Sequence, residues 1–406
     1  MSARLQPQPW MTAAPTRAVM AALEAAGGPD CARFVGGCVR DALVGRPVAD
    51  IDIATPLTPQ EVIAAVEAAG LRAVPTGVEH GTVTAIADHR PYEITTLRRD
   101  VETDGRRAVV AFTRDWAEDA ARRDFRLNAL YLDAGGDLHD PVGGGIEDAR
   151  QGRIVFVGEP EARIREDYLR VLRFFRFFAW YGRGEPDAAA LAACAALKAG
   201  VAGLSGERIS KELLKLLAAP DPRPAVRLME ATGVLAVALG EGLDLALFEA
   251  TTDLSKDAEL RLSALLPPDQ QAARSVAQRL RLSNAQRERL VMALGREPPL
   301  TLDMSEAEAR RALYRIGVQV FADRIVRLWA AHPQRDEAAR KLLSLAQAWD
   351  RPAFPLTGAD VMALGVARGP EVGRLLQAAE AWWTGEDFRP GREEALAKLE
   401  ALAKDR

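Results

Sequence analysis

Two aspartates, Asp50 and Asp52, stand one residue apart in the apolar run VADIDIA at residues 48–54. In an extended strand, side chains two residues apart point to the same face, so this spacing brings both carboxylates together although like charges repel. A carboxylate pair is suited to hold divalent cations, above all Mg²⁺, which takes oxygen ligands and bridges carboxylates to substrate phosphates. Glu93 lies in a later strand-like segment and is either a third carboxylate of this site or an ordinary exposed strand residue.

A candidate phosphate-binding segment, FVGGCVRD at residues 34–41, precedes the aspartate pair. The glycines Gly36 and Gly37 let the backbone approach a ligand, and the helix expected after them offers unpaired N–H groups. The guanidinium of Arg40 suits phosphate oxygens. This segment is neither a P-loop nor a dinucleotide-binding fingerprint. Each motif alone is a weak signal, but together they predict a site where two metal ions activate a hydroxyl and stabilise leaving pyrophosphate.

The elements that must hold these residues form a mixed pattern up to about residue 155 and a helical pattern after it. Alternating or apolar runs predict strands, and helical spacing bounded by Gly or Pro predicts helices. The predicted strands are 32–37, 50–55, 81–88, 92–98 and 128–134, with helices at 15–26, 38–44 and 58–69. Beyond residue 160 the chain is rich in Ala, Leu, Arg and Glu and shows almost no strand signal.

Length and composition set the broad class. A chain of 406 residues exceeds what one hydrophobic core usually supports, so more than one domain is expected. There is no uncharged apolar run long enough for a transmembrane helix and no apolar secretory segment at the N-terminus, which predicts a cytoplasmic protein without a membrane partner. The three cysteines fit no disulfide or zinc spacing. A net charge of −4 still permits a local basic groove.

Five motifs in order resemble the class II tRNA nucleotidyltransferase/poly(A) polymerase family, within the polymerase β superfamily. They are FVGGCVRDALVGRPVADIDIAT (34–55), RRDFRLNALYLD (122–133), REDYLRVLRFFRF (165–177), GERISKELLKLL (206–217) and FPLTGADVMALGVARGPEVGRLL (354–376). The resemblance implies an α+β catalytic head with a polymerase β-like mixed sheet, followed by an all-α region. It implies four parts: a head at 1–155, a neck at 156–220, a body at 221–300 and a tRNA-binding tail at 301–406.

The resemblance also implies an activity: transfer of CMP and AMP from CTP and ATP to the 3′ end of tRNA, without a nucleic-acid template and with Mg²⁺. The residues that match the family's functional positions carry these implied roles: Asp50 and Asp52 bind metal; Gly36, Gly37 and Arg40 hold the triphosphate; Arg123, Asp124 and Asn128 contact the sugar and phosphates; Asp167 and Arg170 read the base; and Arg173 adds positive charge at the nucleotide.

The base-reading pair has a chemical rationale. The i, i+3 spacing of Asp167 and Arg170 predicts one shared helix face. A carboxylate accepts a hydrogen bond from the exocyclic amino group that C and A both carry, and a guanidinium donates to ring or carbonyl acceptors. The alternative is an ion pair within one exposed helix. Arg208 in the GERI motif is expected to brace this helix without touching substrate.

The sequence departs from the family pattern at Ala49, where a basic residue is frequent, and at Tyr168, where proline is frequent. Residues 98–119, with Gly105, align with the family's flexible loop. The alternatives are a poly(A) polymerase and an enzyme that adds only CC or only A. A glycosyltransferase would explain the two aspartates but not the other motifs, and a non-catalytic tRNA-binding protein would not need the aspartates.

Overall fold

The computed structural model describes residues 4–104 and 107–404, with the side chains of 100–110 left aside. Gly105, which the sequence assigns to a flexible loop, lies outside the described residues. The chain divides into two compact units, the first ending at Glu241 and the second beginning at Gly242. The four-part division into head, neck, body and tail stays a prediction.

The first unit is built on a mixed β-sheet, which agrees with the predicted α+β head. Among the described residues its strands are β1 Arg33–Val35, β2 Asp52–Thr55, β3 Arg72–Gly77, β4 Thr82–Ala87, β5 Arg90–Thr96, β8 Tyr131–Leu132 and β9 Leu138–His139. Their order across the sheet is β3-β4-β5-β2-β1-β8-β9. The pair β2–β5 is parallel and the other neighbours are antiparallel. Strand β2 therefore lies near the middle of the sheet.

The helices of the first unit alternate with the strands and then take over the chain. They are α1 Pro9–Thr12, α2 Ala14–Gly27, α3 Gly37–Leu43, α4 Pro59–Ala68, α5 Trp116–Ala121, α6 Gly145–Gln151, α7 Pro160–Glu166, α8 Leu169–Tyr181, α9 Ala188–Leu197, α10 Gly206–Leu217, α11 Arg223–Ala231 and α12 Val234–Leu239. A capping box between Thr58 and Glu61, with Pro59 in the first turn, starts α4. After His139, no further strand occurs among the described residues, as the sequence predicts.

A separate two-stranded ribbon joins the sheet to α5. Its strands are β6 Arg98–Asp104 and β7 Arg107–Phe112, which pair antiparallel. The backbone N–H of Thr113 donates to the carbonyl of Leu97 at 2.9 Å, which closes the base of the ribbon. Leu97 itself is buried with Val35, Ala54 and Tyr131 in a small core on the central strands. The ribbon therefore starts and ends beside the central strands of the sheet.

The structure corrects the predicted helix face that carries Asp167 and Arg170. Helix α7 ends at Glu166, and Asp167 has an extended backbone with φ −156° and ψ 107°. A new helix, α8, begins at Leu169 with Tyr168 as its N-cap. Asp167 therefore lies in the turn between two helices, while Arg170 lies in the first turn of the second. The two side chains do not share one continuous helix.

Helix α8 is amphipathic in a way that matters for the site. It buries six apolar side chains, which are Val171, Leu172, Phe174, Phe175, Phe177 and Phe178. All four phenylalanines of this helix are therefore buried. Arg170, Arg173 and Arg176 follow one another at three-residue intervals, which places them along one side of the helix.

The second unit consists of helices over its described residues. They are α13 Leu245–Leu254, α14 Ala258–Leu265, α15 Gln270–Arg279, α16 Asn284–Ala293, α17 Glu306–Ala331, α18 Asp336–Gln347, α19 Gly358–Ala363, α20 Pro370–Gly385 and α21 Arg392–Lys404. One apolar core centres on Leu313, Phe321 and Ile325, and another on Val361, Leu375 and Leu399. Of the helices that the structure describes in either unit, none is both long and apolar enough to span a membrane.

Candidate active site

A cavity of about 490 Å³ in the first unit brings most of the predicted site residues together. It is bounded by the start of α3, the strand β2, the segment after α5, and the starts of α8 and α10. Its lining residues are Gly36, Gly37, Arg40, Asp52, Arg122, Arg123, Asp124, Asn128, Asp167, Leu169, Arg170, Arg173, Phe177 and Arg208. The six arginines outnumber the three aspartates in this lining, so the cavity is suited to a polyanion.

The glycine pair forms one wall of this cavity. Gly36 has φ +68°, a backbone conformation that favours glycine, and it is the N-cap of α3. A Cβ at Gly36 would lie 3.6 Å from Nη1 of Arg123, an ordinary van der Waals contact, so the backbone conformation and not a lack of space favours glycine here. No side chain in the described part of the chain caps this helix start. The first N–H groups of α3 are thus available to an anion.

The carboxylates are grouped at one end of two parallel strands. Asp52 is the first residue of β2 and is paired in register with Glu93 of β5. Asp50 is exposed and precedes the strand. The observed strand therefore begins two residues later than the sequence predicts. Burial, followed by the charges of Glu93 and Asp50, raises the pKa of Asp52 to about 6, although nearby Arg123 and Arg40 oppose the shift. Of the three, only Asp52 is among the lining residues.

The grouping of these three carboxylates fits a divalent cation. Among the described residues, no cluster of three or more His, Cys, Asp and Glu side chains is arranged as a complete metal site. Mg²⁺ does not need such a cluster, because it is commonly held by one or two carboxylates together with substrate phosphates and water. Burial first, and then the charges of Glu93 and Asp50, raise the pKa of Asp52, and a bound cation would favour its ionised form.

Arg40 makes more hydrogen bonds within the protein than the sequence suggests. It is 8% exposed, and its guanidinium donates to Asn128 Oδ1 at 2.7 Å, Tyr181 Oη at 2.7 Å and Asp41 Oδ1 at 3.0 Å. Its guanidinium carbon also lies 4.1 Å from the centre of the Tyr181 ring. The side chain reaches the cavity wall, but its donors join α3 to the end of α8. This contact involves Tyr181, which the sequence reasoning missed.

Asp124 and Asn128 belong to the same buried network. Asp124 Oδ1 accepts from Asn128 Nδ2 at 3.0 Å, and Asp124 Oδ2 accepts from Arg173 Nε at 2.8 Å. The charge of Arg173 and these hydrogen bonds outweigh burial and lower the pKa of Asp124. Arg173 in turn lies 3.8 Å from Glu212 on α10. Hydrogen bonds therefore join four of the predicted nucleotide-contacting residues in one chain, Arg40, Asn128, Asp124 and Arg173.

The base-reading candidates meet partners other than each other. Asp167 Oδ2 accepts from Arg208 Nη2 at 2.7 Å, and Asp167 Oδ1 accepts from the backbone N–H of Leu169 at 3.1 Å. Arg170 donates from Nη1 to the carbonyl of Arg163 at 2.7 Å and to Glu166 Oε2 at 2.5 Å. The alternative of an Asp167–Arg170 ion pair is wrong. Arg208 donates to Asp167 and also lines the cavity, and its expected lack of contact with substrate stays a prediction.

Four lining residues were not predicted as site residues: Arg122, Leu169, Phe177 and Arg208. Arg122 stands beside Arg123 in the RRDF motif, so the motif itself carried a usable signal. The side chains of Leu169 and Phe177 belong to a helix whose other apolar residues are core residues, and nothing in their types separates them. Among the predicted residues, Asp50 and Glu93 lie outside the lining.

Comparison with known sequence families finds two matches. Residues 32–155 match the family described as the poly A polymerase head domain. Residues 185–245 match the family described as the probable RNA and SrmB-binding site of polymerase A. The first match contains the glycine pair, the carboxylates and the RRDF motif, and the second contains α10.

Individual relatives extend the similarity over nearly the whole chain. A CCA tRNA nucleotidyltransferase 1, mitochondrial, from Danio rerio is 33% identical over 380 residues, covering 90% of this chain and 86% of the relative. A CCA-adding enzyme from Limosilactobacillus fermentum is 33% identical over 376 residues, covering 89% and 90%. The crystal structure of the Bacillus stearothermophilus CCA-adding enzyme in complex with CTP superposes with a TM-score of 0.77 at 27% identity, covering 97% of this chain and 99% of that one.

Proposed function

We propose that this chain, which belongs to the tRNA nucleotidyltransferase and poly(A) polymerase family, adds CMP and AMP from CTP and ATP to the 3′ end of tRNA. It does so without a nucleic-acid template and releases pyrophosphate. The observation that carries the proposal is the single cavity in which the glycine pair, Asp52, the RRDF residues and Asp167 meet. Relatives named for CCA addition match this chain over about nine-tenths of its length.

The charges of the cavity fit a nucleoside triphosphate. The first turn of α3 at Gly37 and the guanidinium of Arg123 face the phosphates, and Arg122 and Arg173 add positive charge around them. Asp124 and Asn128, in the same lining, are the proposed contacts of the sugar and phosphates. In the reaction, a bond forms between the terminal 3′ oxygen of tRNA and the α-phosphorus, and the bond from that phosphorus to pyrophosphate breaks.

Asp50 and Asp52 are the proposed ligands of Mg²⁺, with Glu93 as a third carboxylate. When bound, Mg²⁺ neutralises phosphate charge and makes the attacking hydroxyl more acidic. Support comes from the position of Asp52, which lines the cavity and has Glu93 and Asp50 near enough to raise its pKa after the larger effect of burial. The protein's part is to hold Asp52 in the same cavity lining as Arg123 and Arg40, with Asp50 and Glu93 near it.

Base selection is assigned to Asp167 and Arg170. The turn between α7 and α8 presents the carboxylate of Asp167, whose orientation is fixed by Arg208 and by the backbone of Leu169. A carboxylate held in this way accepts from the amino groups of C and A and has no hydrogen to donate to the carbonyl oxygens of U and G at the same place.

A cytoplasmic location stays a prediction, since the relatives include proteins named as mitochondrial.

The proposal is tested with Asp50→Asn and Asp52→Asn. Each variant should lose nucleotide addition by a factor of about 10³ or more while its affinity for tRNA stays within about threefold, because the change affects the metal and not the RNA surface. Addition is followed with labelled CTP and tRNA lacking its 3′ terminal residues, and tRNA affinity by filter binding. Normal turnover in either variant would contradict the assigned site.

A further inference from the structure

Asp119, in α5, is buried behind the cavity and does not line it. Only 1% of the surface of Asp119 is exposed. The two carboxylate oxygens accept six hydrogen bonds from four residues, all within the first unit. The donors are Arg98 N at 3.2 Å, Arg122 Nε at 3.0 Å, Arg122 Nη2 at 2.8 Å, Arg123 Nε at 3.2 Å, Arg123 Nη2 at 2.8 Å and Tyr131 Oη at 2.7 Å.

These donors come from three different parts of the unit. Arg122 and Arg123 line the cavity, Tyr131 belongs to β8 of the main sheet, and Arg98 is the first residue of the ribbon. Arg122 Nε also donates to the carbonyl of Arg98 at 3.0 Å. One buried carboxylate thus joins the sheet, the base of the ribbon and the two cavity arginines.

The contacts fix which edge of each guanidinium is bound to Asp119. Asp119 takes the Nε and Nη2 donors of both arginines, so their third nitrogens, Nη1, point away from it. For Arg123 this nitrogen lies near Gly36, at 3.6 Å from the position a Cβ would occupy there. The side-on contact is specific to the planar fork of arginine and leaves little rotational freedom.

The backbone of the same pair is tied to the base-reading turn. Arg163 of α7 donates from Nη2 to the carbonyls of Arg122 and of Arg123, the latter at 2.8 Å. Its Nη1 donates to Glu166, and the carbonyl of Arg163 accepts from Arg170. The position of the arginine pair is therefore coupled by hydrogen bonds to the residues that flank Asp167.

We propose that Asp119 is a positioning residue that orients Arg122 and Arg123 toward the nucleotide's phosphates and holds the ribbon in register with them. The proposal deepens the proposed function and rests on it. It assigns to the base of the ribbon a role in nucleotide binding, although none of the ribbon side chains that the structure describes lines the cavity. Asp119 touches no substrate, and its effect is transmitted through the two arginines.

The charge of Asp119 taken alone predicts the opposite change in the KM for CTP and ATP, so the two possibilities can be told apart. Asp119 is a negative charge beside two cations that bind a polyanion. If it only reduced the positive potential, Asp119→Asn would strengthen triphosphate binding and lower the KM for CTP and ATP. If it orients the guanidiniums, the same change loses charge-assisted hydrogen bonds, and the KM for both nucleotides rises.

The test compares three variants with the native chain. Asp119→Asn removes the charge at unchanged size, and Tyr131→Phe removes one of the six donors while keeping the ring that contacts Trp116. Glu118→Gln is the matched control: it makes the same charge change on the same helix, at a carboxylate that lies 3.8 Å from Arg99 and accepts from Thr113. Steady-state kcat and KM for CTP and ATP are measured with tRNA, beside equilibrium binding of labelled CTP and the melting temperature.

We expect Asp119→Asn to raise the KM for both nucleotides about 10- to 100-fold with a smaller change in kcat, since misplaced guanidiniums weaken binding before chemistry. Tyr131→Phe should raise KM about threefold, and Glu118→Gln should leave it unchanged. An unchanged or lower KM in a folded Asp119→Asn protein would overturn the proposal. If that variant does not fold, an unchanged KM in Tyr131→Phe overturns it.

Failure of the proposed function gives a different result. If the native chain adds no nucleotide to tRNA, the function is wrong, and the binding of labelled CTP to the same variants still decides the role of Asp119. If the native chain is active and Asp119→Asn behaves as Glu118→Gln does, only the positioning role is wrong.

Discussion

Replacing Asp52 by asparagine should stabilise the metal-free protein while abolishing nucleotide addition. The folded-state pKa of Asp52 is about 6, against an ordinary value of 3.8. Each unit of difference corresponds to about 1.36 kcal/mol, so the ionised carboxylate destabilises the fold by at most about 3 kcal/mol. Because the side chain is partly exposed, solvent screening reduces this figure, and we expect about 1 to 2 kcal/mol.

The pH dependence follows from the sign of the shift. Since the folded-state pKa lies above the unfolded-state value, the folded protein keeps this proton while the unfolded chain releases it between about pH 4 and pH 6. Native stability from this group is present below pH 4 and is lost as the pH rises through 6. Asp52→Asn has no such loss, so its advantage should open between pH 4 and pH 6 and stay constant above pH 7.

The assay is urea denaturation in the presence of EDTA at several pH values, with the free energy of unfolding obtained by linear extrapolation. Glu67→Gln, at an exposed position in α4, is the control and should change stability by less than about 0.5 kcal/mol. Adding Mg²⁺ with CTP should stabilise the native protein more than the variant. A metal-free Asp52→Asn protein that is less stable than the native one at pH 7 would refute the reasoning.

Three other substitutions test separate parts of the site. Asp167→Asn should reduce the preference for CTP over UTP in kcat/KM at least about tenfold, because an amide can donate to the uracil carbonyl; single-turnover incorporation of each nucleotide measures this. Tyr181→Phe removes a hydrogen-bond acceptor from buried Arg40 and should cost about 1 to 2 kcal/mol of stability, which denaturation measures. The KM should rise several-fold for both nucleotides alike, which steady-state kinetics measures. Glu93→Gln should lower the pKa of Asp52, which NMR titration measures. A 100-fold drop in kcat would identify Glu93 as a third carboxylate, whereas an unchanged kcat would exclude it.

Much of the fold follows from residue periodicity. The change from alternating to helical spacing near residue 155 gives the mixed sheet and the helical remainder. The pairing of Asp52 with Glu93 in parallel strands does not follow, because it depends on contacts between segments about forty residues apart. Periodicity also places the start of β2 two residues too early, since element boundaries depend on the caps and neighbours of the folded chain.

The site could be predicted as a set of residues but not as a set of contacts. The turn at Asp167 contains neither Gly nor Pro, so the helical pattern runs through it without a break. The departure at Tyr168 carried the missing signal: a proline there would start a helix and hold the preceding residue extended, which is the conformation Asp167 adopts. Local spacing likewise gives no sign that Arg40 is bound by Tyr181, because the two are 141 residues apart.

The most direct test of the account is product length. The protein is incubated with Mg²⁺ and tRNA lacking its three 3′ residues, first with CTP alone, then with ATP alone, then with both, and the labelled products are separated on a sequencing gel. The account predicts two added residues with CTP, none with ATP alone, and three with both. Long tails with ATP alone would identify a poly(A) polymerase and contradict it, and a product that stops at two residues with both nucleotides would contradict full CCA addition.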